Sequence, residues 1–113
     1  MKARYSQDGK SVDYRPADAV SAGDVVVQET LVGVARLDIP ADTLGSLAVV
    51  GIFEVEKAAD AVAAGTPVYW DATNKVVTTT ATGNVYFGKT VYAAEASDAT
   101  AYVLLNAPYV ATA

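Results

Sequence analysis

Every apolar run in this chain is short. The longest, residues 47–53, is broken by a glycine, and several others end at Gly, Asn or Asp. Valine and threonine fill the runs, and these residues suit a pleated, half-buried surface. A membrane-spanning helix needs about 20 consecutive apolar residues, so none is available. Short β-forming runs with regular turn residues between them describe an all-β domain. At 113 residues the chain fits one domain, able to bury about two-thirds of its unfolded surface.

The runs can be placed. Asp8-Gly9 is a two-residue hairpin signal. In that register Tyr5 faces Val12, Arg4 faces Asp13 and Ala3 faces Tyr14, so one face is apolar and the other carries an opposite-charge pair. Strands are expected over 25–28 and 31–37, followed by a loop over 39–45 with Pro40 as breaker. Residues 47–55 read as one long strand between two layers. Strands over 68–70 and 76–80 flank a turn at 71–74, and a last strand covers 101–106. Residues 56–64 are alanine-rich and fit a loop or a helix of at most two turns, closed by Gly65. The stretch 19–26 echoes 61–68, each with an Ala-Gly turn before a strand. We read the echo as recurrence of a common turn rather than a duplicated half-barrel. The expected architecture is therefore all-β: a small antiparallel barrel or sandwich-like domain over 16–113, an N-terminal β-hairpin arm over 1–15, and at most one short helix.

Composition removes several chemistries. The chain has no cysteine and no histidine. Disulfides, thiolate metal sites and Ser-His or Cys-His nucleophile pairs are excluded. Glu54, Glu56, Asp60 and Asp71 have no cation-loop spacing. No catalytic, cofactor-binding or metal-ligating residue is assigned, and no cofactor is expected. The formal charge of −5 is unevenly spread: residues 1–15 carry +2 and the rest −7. An acidic body argues against nucleic acid as a partner. No secretory leader is visible, so synthesis in a cytoplasm is expected.

Two motifs need weighing. Residues 83–90 satisfy the phosphate-loop pattern G-x-x-x-x-G-K-[ST] through Gly83, Gly88, Lys89 and Thr90. Such a loop opens a helix whose N-terminus binds phosphate. Here Val85, Tyr86 and Phe87 are strand formers, and no amphipathic helix follows. The preferred reading is a turn at Gly83-Asn84 and a strand over 85–92, with Gly88 as a bulge or close backbone approach. Tyr69 and Trp70 are adjacent, as are Tyr86 and Phe87, so each pair must split between the two sides of a strand. Seven tyrosines are many for this length, and tyrosine is favoured at interfaces. Trp70 beside Asp71 leaves a sugar-stacking site as a competing reading.

A resemblance is carried by Gly23-Asp24-Val25-Val26, Gly33-Val34-Ala35, Gly51-Ile52-Phe53-Glu54-Val55, Ala64-Gly65-Thr66-Pro67-Val68-Tyr69-Trp70-Asp71, Gly88 and Val103-Leu104-Leu105-Asn106. In this order and spacing, over nearly the whole chain, they resemble a bacteriophage family long filed as a domain of unknown function. Its members are described as capsid decoration or cement proteins and often carry a RecA-type recombinase label. The resemblance implies a non-enzymatic trimer on the outside of a phage head, clamping the major capsid protein shell. The alternatives are a receptor- or glycan-binding module of a virion and, remotely, a nucleotide-binding protein. The arm would reach across the shell, making Lys2, Arg4, Tyr5, Lys10, Tyr14 and Arg15 the expected partner-binding residues. Pro67 departs from the family's usual strand residue and suggests a sheet edge there.

Overall fold

The computed structural model describes residues 2–108; Met1 and residues 109–113, included in the expected arm and body, lie outside the described residues. Nine strands form: β1 (Ser11–Tyr14), β2 (Val25–Gln28), β3 (Leu31–Ala35), β4 (Gly45–Ala48), β5 (Ile52–Glu56), β6 (Pro67–Asp71), β7 (Val76–Thr78), β8 (Val85–Thr90) and β9 (Thr100–Leu105). They build a four-stranded sheet of order β1-β4-β3-β2 and a five-stranded sheet of order β5-β9-β8-β6-β7. All pairings between these strands are antiparallel. The protein is an all-β, sandwich-like domain with no helix among the described residues.

The main core lies between the sheets. Val32 and Val34 of β3 meet Val68, Val77, Phe87, Val103 and Leu105 of the five-stranded sheet. A second cluster of Ala35, Ile39 and Leu47 sits on the other face of the four-stranded sheet, with Val12, Tyr14, Val20 and Val26 packed against it. Asn106 ties the sheets together. Its side-chain amide donates to the Val32 carbonyl at 2.9 Å and the Val49 carbonyl at 2.8 Å. It holds a left-handed backbone, φ +54°, which asparagine tolerates better than most residues.

Two expectations are corrected. The hairpin about Asp8-Gly9 is not formed. Residues 2–9 carry no strand, and β1 pairs with β4, Val12 opposite Leu47. That register seats Val12 and Tyr14 on the second cluster, whereas a lone hairpin is marginal in water. The strand expected over 47–55 is two strands. The chain bends at Val50 and Gly51, with φ +122° at the glycine, and passes from one sheet to the other. Val50 and Ile52, expected between layers, are exposed.

Of the two readings for residues 56–64, the loop holds: Glu56 ends β5 and residues 57–64 contain no helix. Lys57 is buried there, and its ammonium donates to the carbonyls of Ala58, Glu95 and Asp98 at 2.9, 2.9 and 3.2 Å. Lys57 also bridges Val77, and the Ala58 amide donates to the Val77 carbonyl. The end of β5 thus meets β7 and bends the five-stranded sheet toward closure.

The internal echo is structural. Val20 exchanges backbone hydrogen bonds with Ile39, as Val62 does with Ala94. Gly23 donates to Ala35 and Ala35 to Asp24; likewise Gly65 donates to Thr90 and Thr90 to Thr66. Both glycines have positive φ, +91° and +81°. The same turn therefore launches the β2–β3 and β6–β8 pairs, with β7 inserted in the second.

The phosphate-loop pattern lies on strand β8. Val68 pairs with Gly88 but Tyr69 with Tyr86, so Phe87 is an extra residue in a bulge. Gly88 also allows close approach: a Cβ there would lie 2.1 Å from the Leu104 carbonyl oxygen. Thr90 is buried, accepting from the Thr66 amide and donating to the Ala63 carbonyl. Pro67 opens β6 beyond the reach of β7, whose pairing starts at Tyr69. The missing N–H costs nothing in that direction.

Candidate docking surface

Strand alternation decides which side chains β5 and β9 present outward. Phe53 and Val55 turn to the core, leaving Ile52, Glu54 and Glu56 exposed. Ala101, Val103 and Leu105 are buried, leaving Tyr102 and Leu104 exposed. The register sets Ile52 beside Leu104 and Glu54 beside Tyr102. Tyr92, just past β8, meets Tyr102 edge to face with ring centroids 5.8 Å apart. Tyr92 is 64% exposed and Tyr102 44%.

The band continues around the edge of β5. Ile52 lines a groove of about 890 Å³ with Leu37, Leu44 and Val50, and Lys10 and Arg36 stand in its wall. Leu37 is 77% exposed. β1 and β4 contribute Ser11, Gly45, Ser46 and Ala48 to its lining, and β5 contributes Ile52 and Phe53. Of nine exposed large apolar or tyrosine side chains among the described residues, seven fall on this band; Tyr5 and Leu31 lie outside it. Contiguous apolar surface of this kind marks an interaction site.

The expected partner-binding residues divide into two groups. Lys2, Arg4 and Tyr5 are exposed on the segment outside both sheets, where the Tyr5 hydroxyl donates to the Asp8 carboxylate. That bond holds the Tyr5 hydroxyl above its ordinary pKa. The other three belong to the body. The Lys10 carbonyl accepts from the Val49 amide, Tyr14 packs on the second cluster, and Arg15 donates to the Asp42 carbonyl at 2.7 Å. Leu37, Leu44 and Val50 were not singled out from the sequence. Isolated apolar residues in loops carry no periodic signal, and only the fold brings these three together.

The tyrosine and tryptophan pairs split as strand geometry requires. Tyr69 meets Tyr86 at 5.9 Å, and Trp70 meets Phe87 at 6.0 Å. Trp70 is half-buried against the main core, and the Asp71 carboxylate accepts from Thr73 and Asn74 in the β6–β7 turn. Residues 85–90 are strand and no helix follows, so the pattern at 83–90 does not make a phosphate cradle. Among the described residues, no three Asp or Glu side chains converge as a cation site.

An all-β module with an apolar band on its surface belongs to the class of proteins built to be covered by another surface. The chain belongs to the phage cement protein family, which it matches over residues 6–105. It is thus a capsid-stabilising phage protein, a virion component that associates with the phage capsid. No curated protein and no solved structure matches it.

Proposed function

We propose that this chain binds the outside of the phage head as a homotrimer, clamps neighbouring major capsid subunits, and performs no chemistry. Family membership over residues 6–105 is the observation that carries this reading. Charge supports the exterior. The body after residue 15 carries −7, and packaged nucleic acid would repel it inside the head. Clamping needs only buried area distributed over several subunits, with avidity supplied by the oligomer.

Residues 2–9 are the part of the chain best suited to reach a shell subunit. They lie outside both sheets and carry Lys2, Arg4 and Tyr5. Eight extended residues span at most about 28 Å. Lys10, Tyr14 and Arg15 would anchor the base of this arm.

The test is co-sedimentation of the purified chain with empty phage heads, with and without residues 2–9. The shorter chain keeps β1, so its circular dichroism and melting temperature should match the parent. It should bind heads at least tenfold more weakly, and the parent's binding should weaken with salt. Saturation of heads by the shortened chain would remove the arm from the mechanism. Failure of the parent to bind any head would overturn the reading itself.

A further inference from the structure

The geometry points to head-to-tail self-association: the groove beside β5 receives the Tyr92–Tyr102 face of a second copy of this chain, and repetition closes a ring. The inference rests on the oligomer named in the reading above and identifies the two surfaces that would build it.

Three observations carry it. First, the apolar band has two different ends. One is the groove with Leu37, Leu44 and Val50; the other is the exposed edge-to-face pair Tyr92 and Tyr102, which borders a smaller hollow of about 320 Å³. A groove of about 890 Å³ is large enough to take such side chains.

Second, the ends differ in charge. Lys10 and Arg36 stand at the groove. Asp38 lines it too, its carboxylate accepting from the Ala22 amide at 2.7 Å, so the groove keeps a smaller net positive charge. The face carries Glu54 beside Tyr102 and Glu56 beside Thr100, with Lys89 on the far side of Leu104. Groove on face therefore brings cations to anions. Groove on groove would set Lys10 and Arg36 against their own copies, and such complementarity selects the partner surface.

Third, the two surfaces point in different directions. The groove opens on the side of β5 away from β9, whereas Tyr102 and Leu104 stand on the face of the sheet. Joining one to the other turns each copy relative to the last. A heterologous contact with rotation gives a ring when the rotation closes.

The experiment is light scattering of the full chain and of two variants that each disable one surface. Leu37→Glu with Leu44→Glu blocks the groove; Tyr92→Ser with Tyr102→Ser blocks the face. All four side chains are exposed, so melting temperatures should stay near the parent's. The parent should run as a closed oligomer and each variant at the mass of one chain, 11.7 kDa. Mixing the two variants leaves one intact groove and one intact face, so a species of twice that mass should appear. An isologous interface cannot be rescued this way, and monomeric variants that fail to pair on mixing would overturn the proposal. So would a monomeric parent, or a variant that stays oligomeric.

If either variant unfolds, charge reversal supplies the same logic. Lys10→Glu with Arg36→Glu should weaken association at least tenfold, and mixing with Glu54→Lys plus Glu56→Lys should restore it; no recovery would count against the ring. Head binding is scored separately. A monomeric parent that binds heads removes the ring and leaves the cement reading standing, while a ring that ignores heads does the reverse.

Discussion

Replacing Gly88 by alanine tests whether residues 83–90 owe their glycine to sheet packing. The added Cβ would sit 2.1 Å from the Leu104 carbonyl oxygen and 3.0 Å from its carbon. An ordinary C···O contact is about 3.3 Å, so β8 and β9 must part by roughly 1.2 Å at that point. The adjacent bond from the Asn106 amide to the Phe87 carbonyl, now 2.8 Å, would stretch to about 4 Å and be lost. Losing a buried backbone bond costs about 1–3 kcal/mol, and forcing a packed core open costs about 1–3 kcal/mol more. The expected destabilisation is therefore about 2–6 kcal/mol. For a domain of this size each kcal/mol lowers Tm by roughly 4 °C, giving a fall of about 8–24 °C. Urea unfolding followed by fluorescence of Trp70, which packs against the bulged Phe87, reads it directly. Gly83→Ala is the control. Its site has φ +79° and nothing within 4 Å of the added carbon, so only backbone strain of about 1–2 kcal/mol is expected. A loss below about 1 kcal/mol for Gly88→Ala, or equal losses at both glycines, would refute the packing argument.

Asn106→Gly keeps the left-handed backbone and deletes the two bonds to Val32 and Val49. Two carbonyls lose their donor, so unfolding experiments should show a loss of about 2–4 kcal/mol; a neutral result would mean the sheets hold without this clamp. Asp71 is held below its ordinary pKa of 3.8 by hydrogen bonds from the Asn74 backbone and side chain, with Thr73 adding to them. A depressed folded pKa contributes stability that is present above the unfolded value and lost as pH falls through the folded one. The Tm gap between the parent and Asp71→Ala should thus be constant near neutrality and narrow below about pH 4. A gap that widens in acid would contradict that sign.

The strands were legible where alternation and turn chemistry agreed. Residues 25–28 and the turn at 71–74 came through because glycine, asparagine and aspartate have local conformational reasons to be there. Hairpin chemistry at Asp8-Gly9 misled because β1 has a better partner: Leu47 offers Val12 a buried neighbour that Tyr5 could not. The break at Val50 was hidden because an apolar run reads alike whether it stays in one layer or crosses between two. Lys57 was invisible for a different reason. Its carbonyl acceptors at Glu95 and Asp98 are distant in sequence, and no local pattern announces such a pairing. The docking band was half legible: surplus tyrosines suggested an interface, but the groove beside it is assembled only by the fold, from residues spread between Lys10 and Phe53.

The phosphate-loop string shows how one pattern can satisfy two unrelated sets of physical demands. A nucleotide site needs Gly83 and Gly88 for flexible backbone around phosphate, and Lys89 and Thr90 for charge and metal. The sheet needs the same letters for other reasons. Gly83 supplies a positive φ entering β8, and Gly88 lets the Leu104 carbonyl pass. Strand alternation then turns Lys89 outward beside Leu104 and Thr90 inward, where its hydroxyl fixes the turn at Ala63–Thr66. The echo strengthens this second account. Thr90 occupies the place that Ala35 holds in the first copy of the turn, with matching backbone bonds to Gly65 and Gly23. A residue whose backbone role recurs in a segment with no phosphate-loop pattern owes that role to the fold. Lys89 is the only one of the four without such a constraint. Lys89→Ala should therefore leave stability within about 0.5 kcal/mol, and any loss it causes in assembly would trace to the docking face on which it stands.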